Sequence, residues 1–293
     1  MEDTARRLAV VTGANKGIGL ETVKQLAANG LRVILTSRDE KRGLEALDKL
    51  KEFDGSLSKL VVFHQLDVTD PASVTSLADF VGTNFGKLDI LVNNAGIVGV
   101  RVDTDAVYAN GARTHWTKLK TETYDLAVDC IATNYYGAKR TAEALVPFLQ
   151  LSNSPRIVNV SSFMGKLENI RNGWANGVLS DAGSLTEEQI DEVLNQFLRD
   201  FKEGSLHAKG WPMFLSANAI SKAALNAFTR ILARKNPSFC INSVCPGFVQ
   251  TDINYNSGIL TVEEGAKSPV RLALLPNGSP SGLFYIRSEL STF

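Results

Sequence analysis

Apolar and polar positions alternate along the chain in two different rhythms. Short runs of β-branched residues predict strands buried on both faces, and stretches with apolar residues three or four apart predict helices. The predicted strands cover 7–12, 31–37, 59–67, 87–94, 156–162 and 240–246. The predicted helices cover 18–30, 39–53, 71–85, 126–149 and the stretch that begins at 216. This pattern predicts an α/β fold, a Rossmann-type doubly wound parallel sheet in one three-layer α/β/α domain over 1–293.

Two segments interrupt this rhythm, at 97–124 and at 163–216. The second is partly helical over 184–204, where Ser184 followed by Glu187 has the spacing of a capping box. Long insertions near the carboxyl ends of strands often carry function, so we expect both segments to shape the substrate pocket. The alternative is that the helix over 184–204 only covers the domain.

Composition excludes several classes of function. Thirty-one basic and 31 acidic residues cancel, which gives no electrostatic reason to bind nucleic acid or a membrane surface. The 3 cysteines and 3 histidines are scattered, so neither a disulfide framework nor a metal site is expected. No apolar run approaches the ~20 residues that a membrane helix needs. We expect a cytoplasmic protein.

Candidate chemistry begins at the end of the first predicted strand, where TGANKGIG occupies 12–19. Gly13, Gly17 and Gly19 permit a tight turn that brings the backbone close to a pyrophosphate, and the next helix N-terminus meets the phosphate charge. The spacing differs from that of a P-loop. A glycine turn can also serve only helix–strand packing, but its place directly after the first strand favours dinucleotide binding.

The end of the second strand indicates which dinucleotide is bound. Ser37 and Arg38 come first there, whereas an acidic residue at this point would select a free ribose hydroxyl. With Lys16 from the glycine turn they suit a 2′-phosphate, so we expect NADPH. The alternative is that the arginine and lysine are solvated surface residues. Asp39 is expected to cap the next helix.

Further motifs follow in order: NNAG at 93–96, NYYG at 134–137, NVSS at 159–162 and CPGFVQTD at 245–252. With the glycine turn and Lys222 they resemble the short-chain dehydrogenase/reductase family almost from end to end. The long insertion before Lys222 resembles the monomeric carbonyl-reductase branch, whose plant members include salutaridine reductase, menthol and neomenthol dehydrogenases, and isopiperitenone reductase. The resemblance implies an NADPH-dependent oxidoreductase. It also implies a monomer, because the insertion covers a surface that other members use to oligomerise.

The resemblance implies roles for individual cofactor-binding residues. The pyrophosphate and adenosine ribose would lie against Gly13, Asn15, Lys16, Gly17, Ile18 and Gly19. The 2′-phosphate would be bound by Ser37 and Arg38, the adenine flanked by Asp67 and Val68, and the inner ribose placed over Asn94, Ala95 and Gly96. The nicotinamide would be oriented by Pro246, Gly247, Val249 and Thr251, with Lys222 on its ribose.

Asn134, Ser162 and Lys222 match three of the family's four catalytic positions. From the residues alone, Asn134 could instead bend a helix, and Ser161 rather than Ser162 could face the site. The fourth position, four residues before the lysine, is a tyrosine in the family and donates a proton to the carbonyl oxygen. Here it is Asn218, whose carboxamide donates hydrogen bonds but releases no proton near neutral pH.

This departure changes which reduction is easiest. A ketone needs a proton on its oxygen, whereas hydride addition to the C=C bond of an enone gives an enolate that Ser162 and Asn218 can stabilise by hydrogen bonds. Isopiperitenone reductase, which also lacks the tyrosine, reduces such a bond. We therefore predict reduction of a small apolar, terpenoid-like carbonyl or α,β-unsaturated carbonyl compound, leaning to the C=C bond.

Two alternatives stay open. A phenol from elsewhere could replace the missing acid, and the candidates are Tyr124, Tyr135, Tyr136 and Tyr255. The protein could also be an NADPH-binding, non-redox paralogue, or an inactivated variant of a ketone reductase.

Overall fold

The computed structural model describes residues 6–103 and 120–293. Its strands are β1 (Leu8–Val11), β2 (Arg32–Ser37), β3 (Val61–Gln65), β4 (Ile90–Asn93), β5 (Arg101–Val102), β6 (Lys120–Thr121), β7 (Arg156–Val160), β8 (Cys240–Cys245), β9 (Phe284–Ile286) and β10 (Glu289–Ser291). Its α-helices are α1 (Gly17–Ala28), α2 (Glu40–Phe53), α3 (Gly55–Ser58), α4 (Pro71–Phe85), α5 (Tyr124–Ile131), α6 (Ala138–Leu149), α7 (Gly173–Ser180), α8 (Glu187–Lys202), α9 (Ser216–Lys235) and α10 (Val262–Ala273).

The main sheet has the strand order β10-β9-β8-β7-β4-β1-β2-β3, and β5 pairs with β6 apart from it. Neighbouring strands of the main sheet are parallel, except that β10 runs antiparallel to β9. From β1 the chain first builds outward through β2 and β3, and then crosses to β4 on the other side. Such a reversal opens a crevice at the carboxyl ends of the strands. The predicted doubly wound α/β sheet is confirmed.

Apolar side chains dominate both faces of the central strands, and β1, β4, β7 and β8 are buried along their whole length. On one face α4, α6 and α9 contact the strands, and the apolar cluster there extends to α5 and α8, with Leu77 and Phe197 among its buried residues. The other face packs against α1, α2 and α10, with Leu26 and Val270 in that cluster. The helices on the two faces therefore hold the strand ends in fixed positions around the crevice.

The single helix predicted over 126–149 is wrong in one respect. The chain widens into a π-helical turn at Ala132–Gly137, between α5 and α6. Asn134 lies in this turn, and its side chain bonds to the backbone of Ile97. Wide turns of this kind recur at functional sites because they turn a side chain away from the regular helical face.

The second insertion contains α7 and α8, and the capping box predicted for α8 is wrong by two residues. Thr186 and Gln189 form it, with the threonine hydroxyl accepting from the Gln189 amide. Ser184 instead donates its hydroxyl to Asp181, which closes the preceding turn. In the first insertion, 104–119 lies outside the described residues.

Candidate active site

A cleft of about 1210 Å³ lies beyond the carboxyl ends of the parallel strands, where the strand order reverses. All the cofactor-binding positions implied by the resemblance, from Gly13 to Thr251, line this cleft. Ser162, Asn218 and Lys222 line it as well, whereas Asn134 is fully buried behind its wall. The structure therefore brings together residues that are far apart in the sequence.

The glycine turn after β1 packs closely against the segment that follows β4, and its backbone lines the cleft. Gly13 has a left-handed φ of +61°, and an added Cβ would lie 2.8 Å from the Cα of Ala95. At Gly19 a Cβ would lie 2.4 Å from Nδ2 of Asn94. That nitrogen donates to the carbonyl oxygens of Thr12 at 2.9 Å and Gly13 at 3.1 Å. Gly13, Gly17 and Gly19 line the cleft without side chains at the N-terminus of α1, and such a backbone surface fits a dinucleotide pyrophosphate.

The end of β2 presents a hydroxyl and a cation to the same cleft. Ser37 is buried and Arg38 is exposed, and both line the cleft. Asp39 caps α2 by accepting from the amide of Arg42 at 2.9 Å, as predicted. The carboxylate of Asp39 is thus bonded to its own helix, which leaves Arg38 as the charged group directly at the strand end.

Lys16 is paired with a residue from the opposite side of the cleft. Its Nζ lies 2.8 Å from Oδ2 of Asp252, and more than half of each side chain is exposed. The pair links the glycine turn to the segment after β8. A role for Lys16 at a phosphate would therefore require it to exchange or share this partner.

The ammonium of Lys222 is held close to the backbone. Nζ donates to the carbonyl oxygen of Val160 at 2.8 Å. Gly96 and Gly165 make room for the lysine, because an added Cβ would lie 3.3 Å from Nζ at the first and 2.7 Å from the lysine carbonyl carbon at the second. Burial lowers the pKa of Lys222 to about 8. Near neutral pH the group is charged, and its remaining N–H groups are available to the cleft.

Asn134 fixes the peptide of Ile97 from behind. Its Oδ1 accepts from the Ile97 amide at 2.8 Å, and its Nδ2 donates to the Ile97 carbonyl at 3.0 Å and to Oγ of Ser221 at 3.0 Å. Ser221 Oγ in turn donates to the carbonyl oxygen of Asn218 at 2.9 Å. Asn134 therefore positions the wall of the cleft and reaches the backbone of the helix that carries Lys222.

The two serines after β7 differ in what their hydroxyls do. Ser161 donates to the carbonyl oxygen of Lys222 at 3.4 Å. Oγ of Ser162 accepts from the amide of Met164 at 3.1 Å, which leaves its O–H free to donate. Both residues line the cleft, and Ser162 is the one with an uncommitted donor among the described hydrogen bonds.

Asn218 lies one turn before Lys222 on α9, with only 8% of its surface exposed. Its Nδ2 donates to the carbonyl oxygen of Ile97 at 3.1 Å. The amide nitrogen is thus partly committed to the protein itself. It still has a second hydrogen, and neither atom of the carboxamide can supply a proton.

Comparisons with known proteins agree with this geometry. The model of the short chain dehydrogenase family matches residues 7–174. A (+)-neomenthol dehydrogenase from Arabidopsis thaliana is 58% identical over 296 residues, covering 100% of each chain. A (-)-isopiperitenone reductase from Mentha piperita is 52% identical over 306 residues, covering 97% of each. The solved structure of salutaridine reductase from Papaver somniferum superposes with a TM-score of 0.91 at 52% identity, covering 96% of this chain and 99% of that one.

The chain belongs to the short-chain dehydrogenase/reductase family. In this family member the four phenols considered as substitutes for the missing tyrosine do not line the cleft. Tyr135 is buried in the core, where burial raises its pKa, and the ring of Tyr136 packs against the ring of Tyr135. Tyr124 begins α5, and Tyr255 packs against Leu215. Asn218, at the position that the resemblance assigns to the family tyrosine, does line the cleft.

Sequence reasoning missed the apolar residues that line the substrate end of this reductase. Phe163, Phe214, Phe248 and Ile253 line the cleft with 45% to 49% of their surface exposed, and Met164 lines it as well. Two of them had a signal, since Phe163 directly follows NVSS and Phe248 lies within CPGFVQTD. Phe214 lies in the 163–216 insertion, which was expected to shape the pocket, and Ile253 lies in a 3₁₀ turn after β8, but no motif marks either residue.

The start of α9 depends on a residue that the sequence did not single out. Leu215 precedes the helix with a left-handed φ of 49° and offers no side-chain cap. Glu122, from the first insertion, accepts from the amide of Ser216 at 2.9 Å and from its hydroxyl at 2.6 Å. No local motif around Glu122 would reveal this contact. It joins both insertions to the helix of Asn218 and Lys222.

Within 6–103 and 120–293, no cluster of histidine, cysteine and acidic residues could hold a metal ion, and no helix is long and apolar enough to cross a membrane. Cys130, Cys240 and Cys245 are buried free thiols.

Proposed function

We propose that this enzyme reduces small, largely apolar carbonyl and α,β-unsaturated carbonyl compounds of terpenoid or alkaloid type, with a leaning to the C=C bond of enones. Membership of the family, and relatives that are named after terpenoid and alkaloid substrates, support the reductase. NADPH is the cofactor, as it is for carbonyl reductases of the family. Ser37 and Arg38 at the end of β2 suit its 2′-phosphate.

The single observation that carries the leaning to enones is Asn218. A ketone reductase needs an acid at the substrate oxygen, and a missing general acid typically lowers the rate by roughly 10²–10⁴-fold. The four candidate phenols lie elsewhere in the fold. The site has no acidic group at residue 218. It keeps two hydrogen-bond donors, the Ser162 hydroxyl and the Lys222 ammonium.

Bound NADPH supplies a hydride to the substrate carbon. In an enone the new C–H bond forms at the β-carbon, the C=C electron pair shifts, and negative charge develops on the oxygen. Ser162 and Lys222 stabilise this charge by hydrogen bonds that need no proton transfer. The α-carbon then takes a proton from water. A ketone offers no such delayed step, because its oxygen must be protonated as the charge forms.

The apolar residues at the open end of the cleft support a substrate with little polar surface. Phe163, Phe214, Phe248 and Ile253 present exposed hydrocarbon to the space beside Ser162. Burying that surface against a hydrocarbon skeleton stabilises the complex by about 25 cal/mol per Å². Charged substrates would gain nothing from these side chains.

The test follows NADPH absorbance with cyclic enones and with matched saturated ketones, first with the parent protein and then with Asn218→Tyr. We expect saturated ketone products from enones with the parent, and a gain of ketone reduction in the variant. Turnover of neither class by the parent, with ketone reduction by the variant, would identify an inactivated ketone reductase. NADPH binding without turnover in either protein would favour the second candidate, a non-redox NADPH-binding paralogue.

A monomeric state and a cytoplasmic location remain predictions of the sequence. The insertion that contains α7 and α8 packs against α9 and motivates the first of them. Sedimentation equilibrium at several protein concentrations would test it, and a concentration-dependent mass would contradict it.

A further inference from the structure

The orientation of the Asn218 amide is fixed by its partner. Ile97 offers a carbonyl oxygen at 3.1 Å, so the group that faces it must be the donor Nδ2. The peptide of Ile97 cannot turn to offer its N–H instead, because that N–H donates to Asn134 Oδ1 at 2.8 Å. A flipped amide would set two acceptors against each other.

With Nδ2 on Ile97, Oδ1 of Asn218 points away from that peptide. Oδ1 accepts no hydrogen bond from the described residues, and it is not among the polar atoms sealed from solvent in that part of the chain. Since Asn218 lines the cleft, this oxygen is an acceptor open to it. The family tyrosine would place a donor here, so the substitution reverses the polarity of the site at this point.

The reacting end of the cleft therefore combines donors with an acceptor. Ser162 and Lys222 donate to an oxygen with lone pairs. Oδ1 of Asn218 repels such an oxygen but accepts from an O–H group. A plain ketone or enone satisfies the donors and leaves Oδ1 without a partner. A substrate that also carries a hydroxyl near its carbonyl satisfies both.

We propose that Asn218 selects hydroxylated carbonyl compounds, with its Oδ1 accepting a hydrogen bond from a hydroxyl that lies near the reacting carbonyl or enone. This inference rests on the proposed function and narrows its substrate class. Asn218 then acts as a specificity-determining residue at the former position of the proton donor, and hydride transfer itself proceeds as described above.

The test compares matched pairs: cyclohexenone with its 4-hydroxy and 6-hydroxy derivatives, and cyclohexanone with 2-hydroxycyclohexanone. Because a hydrogen bond between uncharged groups contributes modestly, we expect kcat/KM to favour one hydroxylated isomer about fivefold in the parent. Asn218→Leu keeps the side-chain size without hydrogen-bonding atoms, and it should bring the ratio to about one. The ratio cancels any general loss of activity in the variant.

Ser162→Ala is the matched control, because it removes a donor and keeps Oδ1. It should lower kcat for both members of a pair and leave their ratio as in the parent. A parent ratio near one for every isomer would overturn the proposal. So would a preference that survives Asn218→Leu.

A binding measurement separates this inference from the proposed function. Calorimetry of the same pairs with the enzyme and NADP⁺ needs no reduction, and the hydroxylated member should bind about fivefold more tightly to the parent but not to Asn218→Leu. Tighter binding without any turnover would contradict the proposed reaction and support the role of Asn218. Turnover with equal binding of both members would contradict the role of Asn218 and leave the reductase intact.

Discussion

At the dinucleotide end of the cleft, backbone and the absence of side chains determine the shape. At the reacting end, the shape comes from side chains that meet from distant parts of the chain. Residues 12–19 supply the backbone of the first, and hydrogen bonds connect this turn to Thr36, Asn94 and Ala95. The second depends on bonds to Ile97 from residues that are 37 and 121 positions away.

This difference shows which end of the cleft tolerates change. The glycine turn has no spare space, because an added Cβ at Gly13 or Gly19 would meet atoms closer than 3 Å. The reacting end keeps its framework when one side chain changes, since Asn134 holds the Ile97 peptide at both its N–H and its C=O.

The largest expected effect concerns the charge at the reacting end. Lys222→Met should lower kcat by roughly 10²–10³-fold, because it removes the ammonium to which the proposed function assigns the developing charge on the substrate oxygen. In the parent, kcat should fall as pH rises through about 8, where the buried ammonium loses its proton. A pH–rate profile from 6 to 10 checks this, and a flat profile would contradict it.

The lowered pKa of Lys222 also makes the free energy of unfolding depend on pH. The folded pKa of about 8 lies below the ordinary value of 10.5, so the unfolded chain binds more protons between these values. The parent's free energy of unfolding should gain from this group as pH rises from about 8 to 10.5. Urea titrations at several pH values, with Lys222→Met as the reference, isolate this contribution.

Next in size is the choice of cofactor at the dinucleotide end. Arg38→Leu should reduce the preference for NADPH over NADH by roughly 10- to 100-fold, because a charge-assisted bond to the 2′-phosphate is lost. Fluorescence titration with both cofactors measures the ratio. Lys41→Leu removes the same charge from an exposed residue that does not line the cleft, and it should leave the ratio unchanged. Equal effects of both variants would indicate that the overall positive charge of this region, rather than a contact with Arg38, favours NADPH.

A smaller effect tests the packing of the glycine turn. Gly19→Ala should weaken NADPH binding about tenfold, because the methyl group displaces Asn94 Nδ2 from its two carbonyl partners. Gly177→Ala is the matched control, since a Cβ there meets nothing within 4 Å, and it should leave binding unchanged. Parent-like affinity in Gly19→Ala would show that the turn can relax.

The smallest expected effect concerns the link between the insertions. Glu122→Ala removes the acceptor for Ser216 at the start of α9 and should lower the free energy of unfolding by about 1 kcal/mol, as for other helix caps. Glu168→Ala removes a carboxylate that is 57% exposed in its ion pair with Lys166, and it should change stability less. Urea unfolding of both variants compares them. A larger loss of stability in Glu168→Ala than in Glu122→Ala would contradict the capping role of Glu122.

The same contrast explains which parts of the structure the sequence predicts. The sheet, most of its helices and the cap at Asp39 were predictable because periodicity and caps are local signals. For the break at Ala132–Gly137 the sequence offered only the alternative that Asn134 bends a helix, because the contact between Asn134 and Ile97 forms across the fold. The capping box at Thr186 was misplaced because Ser184 offered a similar spacing and tertiary context decided between them.

The candidate site shows the same limit. Motif resemblance named the residues from Gly13 to Thr251 that line the cleft. It could not reveal that the amide of Asn218 donates to a backbone carbonyl, and this contact determines whether the cleft meets a donor or an acceptor. Residues such as Phe214 and Glu122 stand in segments without periodicity, so only the folded chain shows where they lie.

Every residue of α9 from Ser216 to Thr229 is buried. Amide hydrogens in such a segment exchange with solvent only when much of the domain opens. Asn218 and Lys222 therefore lie in a segment that we expect to open rarely. Local opening that admits a bulky substrate should occur instead around Phe214 and Ile253, at the edge of the cleft. Bound substrate should therefore change deuterium uptake around Phe214 and Ile253 and leave the uptake of residues 216–229 unchanged.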